Sequence, residues 1–287
     1  MTPHSSRTRG GKRRAAKARP FRQTSFSVYP PDGTRCRGTY CPGESRLVGI
    51  HVHGFRSSSA HRKAQFFLEH ALQNGYGWVN FDLPCHGRSE GRFRDFRVSN
   101  ALDALLELLA QFRGTPVMLL GSSMGAWLAM LAAQVMLKKA ARSRAKARAA
   151  TIAGAVLIAP AFDFFRHYFQ NQPPEVLRQW RRDGVRDFTD HYDGAPYQLD
   201  YAALEDGVRH SALERAVRYD FPIRIFHGAR DEVVPLELSR QFQELSPEAD
   251  INVRVIKNGG HSLDAHLNLI AAEVDNLFAR ARATAAA

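Results

Sequence analysis

From about residue 24 onward, apolar positions follow two alternating rhythms. Short apolar runs of strand length are separated by longer stretches whose apolar residues recur at i, i+3, i+4 and i+7, a pattern that predicts βα units and a mostly parallel sheet. Leu47 to His53 reads as a buried strand, followed by a helix near 60–73 carrying Phe66, Phe67, Leu68, Ala71 and Leu72. Trp78 to Phe81 is the next strand, and the stripe Leu102, Leu105, Leu106, Leu109 and Phe112 predicts a helix over 98–112 packed on a sheet. Pro116 to Leu120 is a strand ending at Gly121, Met124 to Leu137 a helix, and Ile152 to Ala159 another strand.

The alternation lapses over 161–220, where Phe162, Phe164, Phe165, Tyr168, Phe169 and Trp180 mix with Arg and Pro. This segment reads as a small inserted cap, its aromatics serving either as packing or as an apolar pocket. Regularity returns with the strand Pro222 to Phe226, a helix near 236–245, the strand Ile251 to Ile256 and a last helix over about 264–280. The 287 residues are near the upper limit for one continuous core. The expected organisation is therefore a tail over 1–23 and one domain over 24–280 that contains the insertion.

The formal charge of +12 invites a nucleic-acid or anionic-surface reading, but its placement weakens that. Residues 1–31 hold eight basic residues and no acid, and the stretch 138–150 holds six more, again without an acid. The rest of the chain has 26 basic against 28 acidic residues, so the body carries no excess positive charge. The tail lacks the apolar core of a secretory signal; its Arg- and Ser-containing, acid-poor text fits a solvated extension, with an organelle transit segment as the alternative. No run of about 18 apolar residues marks a membrane span. Cys36, Cys41 and Cys85 make an odd set without CxxC or zinc spacing, which points to a reducing compartment, and the expected location is cytoplasmic.

Gly121-Ser122-Ser123-Met124-Gly125 fits G-x-S-x-G between an apolar strand and an apolar helix. A strand-to-helix turn this tight projects its serine and needs residues without bulk where the helix crosses the strand. Ser123 is the candidate nucleophile; its neighbour Ser122 occupies the variable position. A serine hydroxyl needs a base oriented by a carboxylate, expected downstream in the order acid then histidine. Asp231, in His227-Gly-Ala-Arg-Asp231, and His261, in Gly259-Gly260-His261, both follow strands and fall at the carboxyl edge of the sheet. Glu232 is the weaker acid candidate, and His227 and His266 read as structural imidazoles. For the oxyanion, the expected donors are the backbone N–H groups of Met124 and Phe55. Because backbone donates, substitution at either would test packing more than chemistry. No cofactor or metal is required, and an imidazole base predicts activity that falls as pH drops through about 6–7.

His53-Gly54-Phe55, Phe81-Asp82 through His86-Gly87, Gly121-x-Ser123-x-Gly125, His227-Gly228-x-x-Asp231 and Gly260-His261 together resemble the α/β-hydrolase superfamily over about residues 25–280. Within it, Gly121 to Leu128 and Phe221 to Pro235 are most similar to the compact palmitoyl-protein thioesterase and acyl-glucuronide esterase group. The tail and the insert 138–150 depart from that pattern. The resemblance implies an α/β-hydrolase fold with a mostly parallel central sheet, flanking helices and a short inserted cap. It also implies a Ser123-Asp231-His261 triad, two-step acyl transfer on a small-molecule ester or thioester, and structural roles for Asp82 and His86. A peptidase of the prolyl-oligopeptidase-like type is the enzymatic alternative. The alternative of another class is a basic nucleic-acid- or surface-binding protein.

Overall fold

The computed structural model describes residues 23–142 and 151–286. Residues 1–22 of the tail expected over 1–23, and residues 143–150 of the basic stretch, lie outside the described residues. An eight-stranded sheet forms the centre. In chain order its strands are β1 (Thr24–Val28), β2 (Cys36–Cys41), β3 (Val48–Val52), β4 (Gly77–Phe81), β5 (Pro116–Ser122) and β6 (Thr151–Ile158). After the insertion and its hairpin, β7 (Val185–Thr189) with β8 (Pro196–Asp200), come β9 (Ile223–Gly228) and β10 (Ile251–Ile256). The spatial order is β1-β2-β4-β3-β5-β6-β9-β10. The β1–β2 and β2–β4 pairs are antiparallel and all the others parallel.

Side-chain alternation assigns two faces. On β5, Val117 and Leu119 enter one core with α2 (Val98–Gln111) and α3 (Met124–Arg142). Met118 and Leu120 enter the opposite core with α1 (Arg62–Gln73) and α7 (Leu267–Ala286). β3, β4 and β5 are covered on both faces, which is why they read as continuous apolar runs. Two helix boundaries differ from the sequence expectation. The helix after Ser123 continues to Arg142, because Lys, Ala and Arg are strong helix formers and charge alone does not end a helix. Asp264 to His266 form a short 3₁₀-helix and the last α-helix starts after it, so His266 ends the 3₁₀ turn and precedes α7. The insertion between β6 and β9 holds the β7–β8 hairpin, a π-helical turn Phe165–Phe169, α4 (Pro174–Asp183) and α5 (Tyr201–Gly207). α6 (Leu236–Glu244) connects β9 to β10. Among the described residues no helix is long and apolar enough to cross a membrane.

Candidate active site

β5 ends on Ser122 and α3 begins on Met124, so Ser123 alone makes the turn. It takes a φ of 54°, a left-handed conformation that costs an L-residue about 1 kcal/mol or more. Backbone bonds hold it there: the Ser123 N–H donates to Ile158 O at 2.8 Å, and Ser123 O accepts from Ala126 N–H at 3.0 Å and Ala161 N–H at 3.2 Å. The flanking glycines permit the close crossing. A Cβ on Gly121 would stand 2.4 Å from Ala126 Cα, and one on Gly125 would stand 2.1 Å from Val52 O.

Residues far apart in the chain converge on this turn. Ser123 Oγ lies 2.9 Å from His261 Nε2, and His261 Nδ1 lies 2.8 Å from Asp231 Oδ2. The carboxylate fixes the tautomer: Nδ1–H donates to Asp231, which leaves the Nε2 lone pair facing the serine hydroxyl. Asp231 follows β9 and His261 follows β10, so parallel strands deliver both to the edge where β5 ends. The imidazole meets Ser123 and not Ser122, which stays in β5 opposite Ile158. Glu232 is exposed at the rim, and Asp231 Oδ1 accepts the N–H groups of Val233 at 2.9 Å and Val234 at 2.8 Å. Burial alone would raise the Asp231 pKa. Hydrogen bonds from His227 and His261 outweigh it and hold the carboxyl well below the usual carboxylate range.

Met124 follows the serine as the first residue of α3, and Phe55 lines the cavity with Ser123. Among the described residues neither backbone N–H donates to another protein group. The β3–α1 loop that carries Phe55 runs beside the serine, since a Cβ on Gly54 would lie 3.3 Å from Ser123 Cβ. Two histidines hold that loop against the segment after β4. His53 Nε2 accepts the Leu83 N–H at 3.0 Å, and His86 Nε2 accepts the Arg56 N–H at 3.2 Å. Both rings donate from Nδ1, His53 to Gly54 O and His86 to Pro84 O, each at 2.9 Å. Burial pushes His53 down to about 4 and His86 down to about 3, so both stay neutral and able to accept. Asp82 completes the clamp by accepting the Ser59 N–H at 2.6 Å. The motif around Asp82 and His86 signalled a structural role in the sequence; the grip of His53 and His86 on one loop gave no such signal.

A cavity of about 460 Å³ opens over Ser123 and His261. The insertion's aromatics divide between the two readings left open by the sequence. Phe162, Phe165, Phe169 and Trp180 are fully buried packing, whereas Phe164, Tyr168 and the hairpin's Tyr197 line the cavity. Tyr192 lies nearly parallel to the His261 ring at 6.3 Å. Arg56 ties the hairpin to the β3–α1 loop: its guanidinium is 2.9 Å from Asp190 Oδ2, donates to Ala195 O at 3.2 Å and lies 4.6 Å above the Tyr197 ring. Cys36 and Cys85 do not compete with the serine, because burial pushes their thiols up to about 12 and about 11. The arrangement can draw the proton of the Ser123 hydroxyl onto His261 Nε2.

Known proteins share this chain's architecture. Mitochondrial palmitoyl-protein thioesterase ABHD10 of Bos taurus is 25% identical over 232 residues, which cover 80% of this chain and 72% of that protein. The solved mouse alpha/beta hydrolase domain-containing protein 10 superposes with a TM-score of 0.76 at 22% identity, covering 90% of this chain and 99% of its own. A solved protein of Agrobacterium vitis S4 superposes at 0.81 with 24% identity, over 90% of this chain and 99% of that one. The model of the alpha/beta hydrolase family matches residues 50–272, from the strand that precedes the Phe55 loop into the helix beyond His261, and the chain belongs to that family.

Proposed function

We propose that this hydrolase cleaves carboxylic esters and thioesters through an acyl-enzyme on Ser123. The observation that carries the reading is the hydrogen-bonded line Ser123–His261–Asp231, whose first two members line a cavity, together with the Phe55 and Met124 N–H groups, which have no protein partner among the described residues. His261 Nε2 takes the Ser123 Oγ proton as the oxygen attacks the substrate carbonyl. The carbonyl oxygen gains the charge and accepts from Phe55 N–H and Met124 N–H, the latter at the positive end of α3. Collapse expels the alcohol or thiol, which takes the proton from His261. Water then attacks the acyl-enzyme with the same base, releasing the acid. Asp231 orients the ring and stabilises its cationic form. The insertion over 161–220 acts as the cap, its Phe164, Tyr168 and Tyr197 forming an apolar wall for the acyl chain. The thioesterase name of the Bos taurus relative supports including thioesters.

Labelling with a fluorophosphonate probe tests the assignment: wild type is labelled, while Ser123→Ala and His261→Ala are not. An unlabelled wild type overturns it. p-Nitrophenyl esters, acyl-CoA and aminoacyl-naphthylamides compared in one assay test the substrate class, and hydrolysis confined to the amides would make the protein a peptidase.

A further inference from the structure

Beyond His261, a second imidazole reaches the same carboxylate. His227 is the fifth residue of β9, and its ring is 0% exposed. Its Nε2 lies 3.0 Å from Val234 O and 3.2 Å from Asp231 Oδ2. Both neighbours are acceptors, so Nε2 carries the proton and donates. Its Nδ1 lies 2.7 Å from Ser239 Oγ on α6, a buried hydroxyl that donates to it. Asp231 therefore has three hydrogen-bond donors, Val233 and Val234 N–H on Oδ1 and His261 on Oδ2, and the His227 Nε2 stands 3.2 Å from Oδ2 as a fourth polar contact. A carboxylate offers about four acceptor positions. None is left over for Asp231 to turn toward.

We infer that His227 is a positioning residue for the reaction, fixing the Asp231 carboxylate and sharing its charge so that only part of it acts on His261. The inference rests on the triad assignment proposed above. Two consequences follow from the shared oxygen. Without the His227 N–H, Asp231 gains rotational freedom and His261 loses orientation, which lowers kcat. The charge on Oδ2 is then left to His261 alone, which favours the imidazolium and moves the acid limb of the kcat/KM profile to higher pH. Charged or titratable groups that line the cavity beside His261 include Tyr192, His191, Glu232, Asp190 with Arg56, and Asp264 with Lys63. Substitution at 227 leaves all of them in place.

Two amide variants separate positioning from packing. A glutamine amide reaches the place of imidazole Nε2 and can still donate to Asp231, whereas an asparagine amide reaches only the place of Nδ1 and meets Ser239. His227→Asn is expected to lower kcat by about 3- to 30-fold, well short of the ~10⁴ that follows loss of a triad acid's function, and to shift the acid limb upward. His227→Gln is expected within about twofold of wild type with the limb unmoved. Equal behaviour of the two variants, or an Asn variant with a wild-type limb, overturns the inference. If His227→Asn does not fold by circular dichroism, Ser239→Ala serves, since it removes only the hydroxyl behind the ring. A smaller upward shift is then expected, and an unmoved limb overturns the inference. A wild type without Ser123-dependent turnover would instead mean that the triad reading itself fails.

Discussion

At the scale of single residues, the site depends on where protons sit. Asp231 is favoured as the anion by three hydrogen-bond donors and the nearby His227 ring, so its part is orientation and charge. Asp231→Asn is expected to reduce kcat by about 10⁴ through loss of the productive tautomer, with KM nearly unchanged in steady-state kinetics. A drop of less than tenfold would move the acid to another residue. The aromatic wall makes a different demand. Phe164→Ala removes apolar surface that a long acyl chain would cover but a short one would not reach. It is expected to raise KM for long-chain p-nitrophenyl esters by about 10-fold, or about 1.4 kcal/mol, and to leave acetate esters unaffected. Equal effects on both would make Phe164 a packing residue only.

At the scale of elements, the crossing of α3 over β3 and β5 has no slack. Gly125→Ala places a methyl group 2.1 Å from a backbone oxygen that cannot rotate away. A loss of about 3 kcal/mol or more in urea unfolding is expected, together with lost turnover, because relief of the clash moves the start of α3. Those two glycines, the serine between them and the buried strands on either side were legible in the sequence, because each carries a local requirement that only a few residue types meet. Other elements were not. β7, Val185-Arg-Asp-Phe-Thr189, has no buried residue, and Thr24-Ser-Phe-Ser-Val28 is an edge strand with only its last residue buried. Such strands exist because a partner pairs with them, and pairing over distance leaves little periodic trace. The contact of His227 with Asp231 was hidden for a related reason. Four residues apart in a loop-forming stretch, the two could have pointed anywhere until β9 and α6 fixed them.

At the scale of the whole molecule, three buried neutral histidines link the fold to pH. Burial pushes His51 and His86 down to about 3 and His53 down to about 4. Unfolded, these rings protonate near their ordinary value of about 6.5. Their folded values are depressed, so the stability they allow is complete above about 6.5. It is lost as pH falls from there toward 3–4, at up to about 1.4 kcal/mol per pH unit for each ring. The urea midpoint is expected to fall steeply between pH 6.5 and 4.5, and His51→Asn to shallow the slope; a midpoint flat over that range would contradict the buried neutral state. The same long-range economy shows in Arg56, whose backbone belongs to the β3–α1 loop and whose guanidinium belongs to the hairpin. Pocket and scaffold are thus not interchangeable modules. An engineer who grafts a foreign insertion between β6 and β9 to alter selectivity must carry a matching residue 56 into the scaffold, or the graft will arrive without its anchor and the loop without its brace.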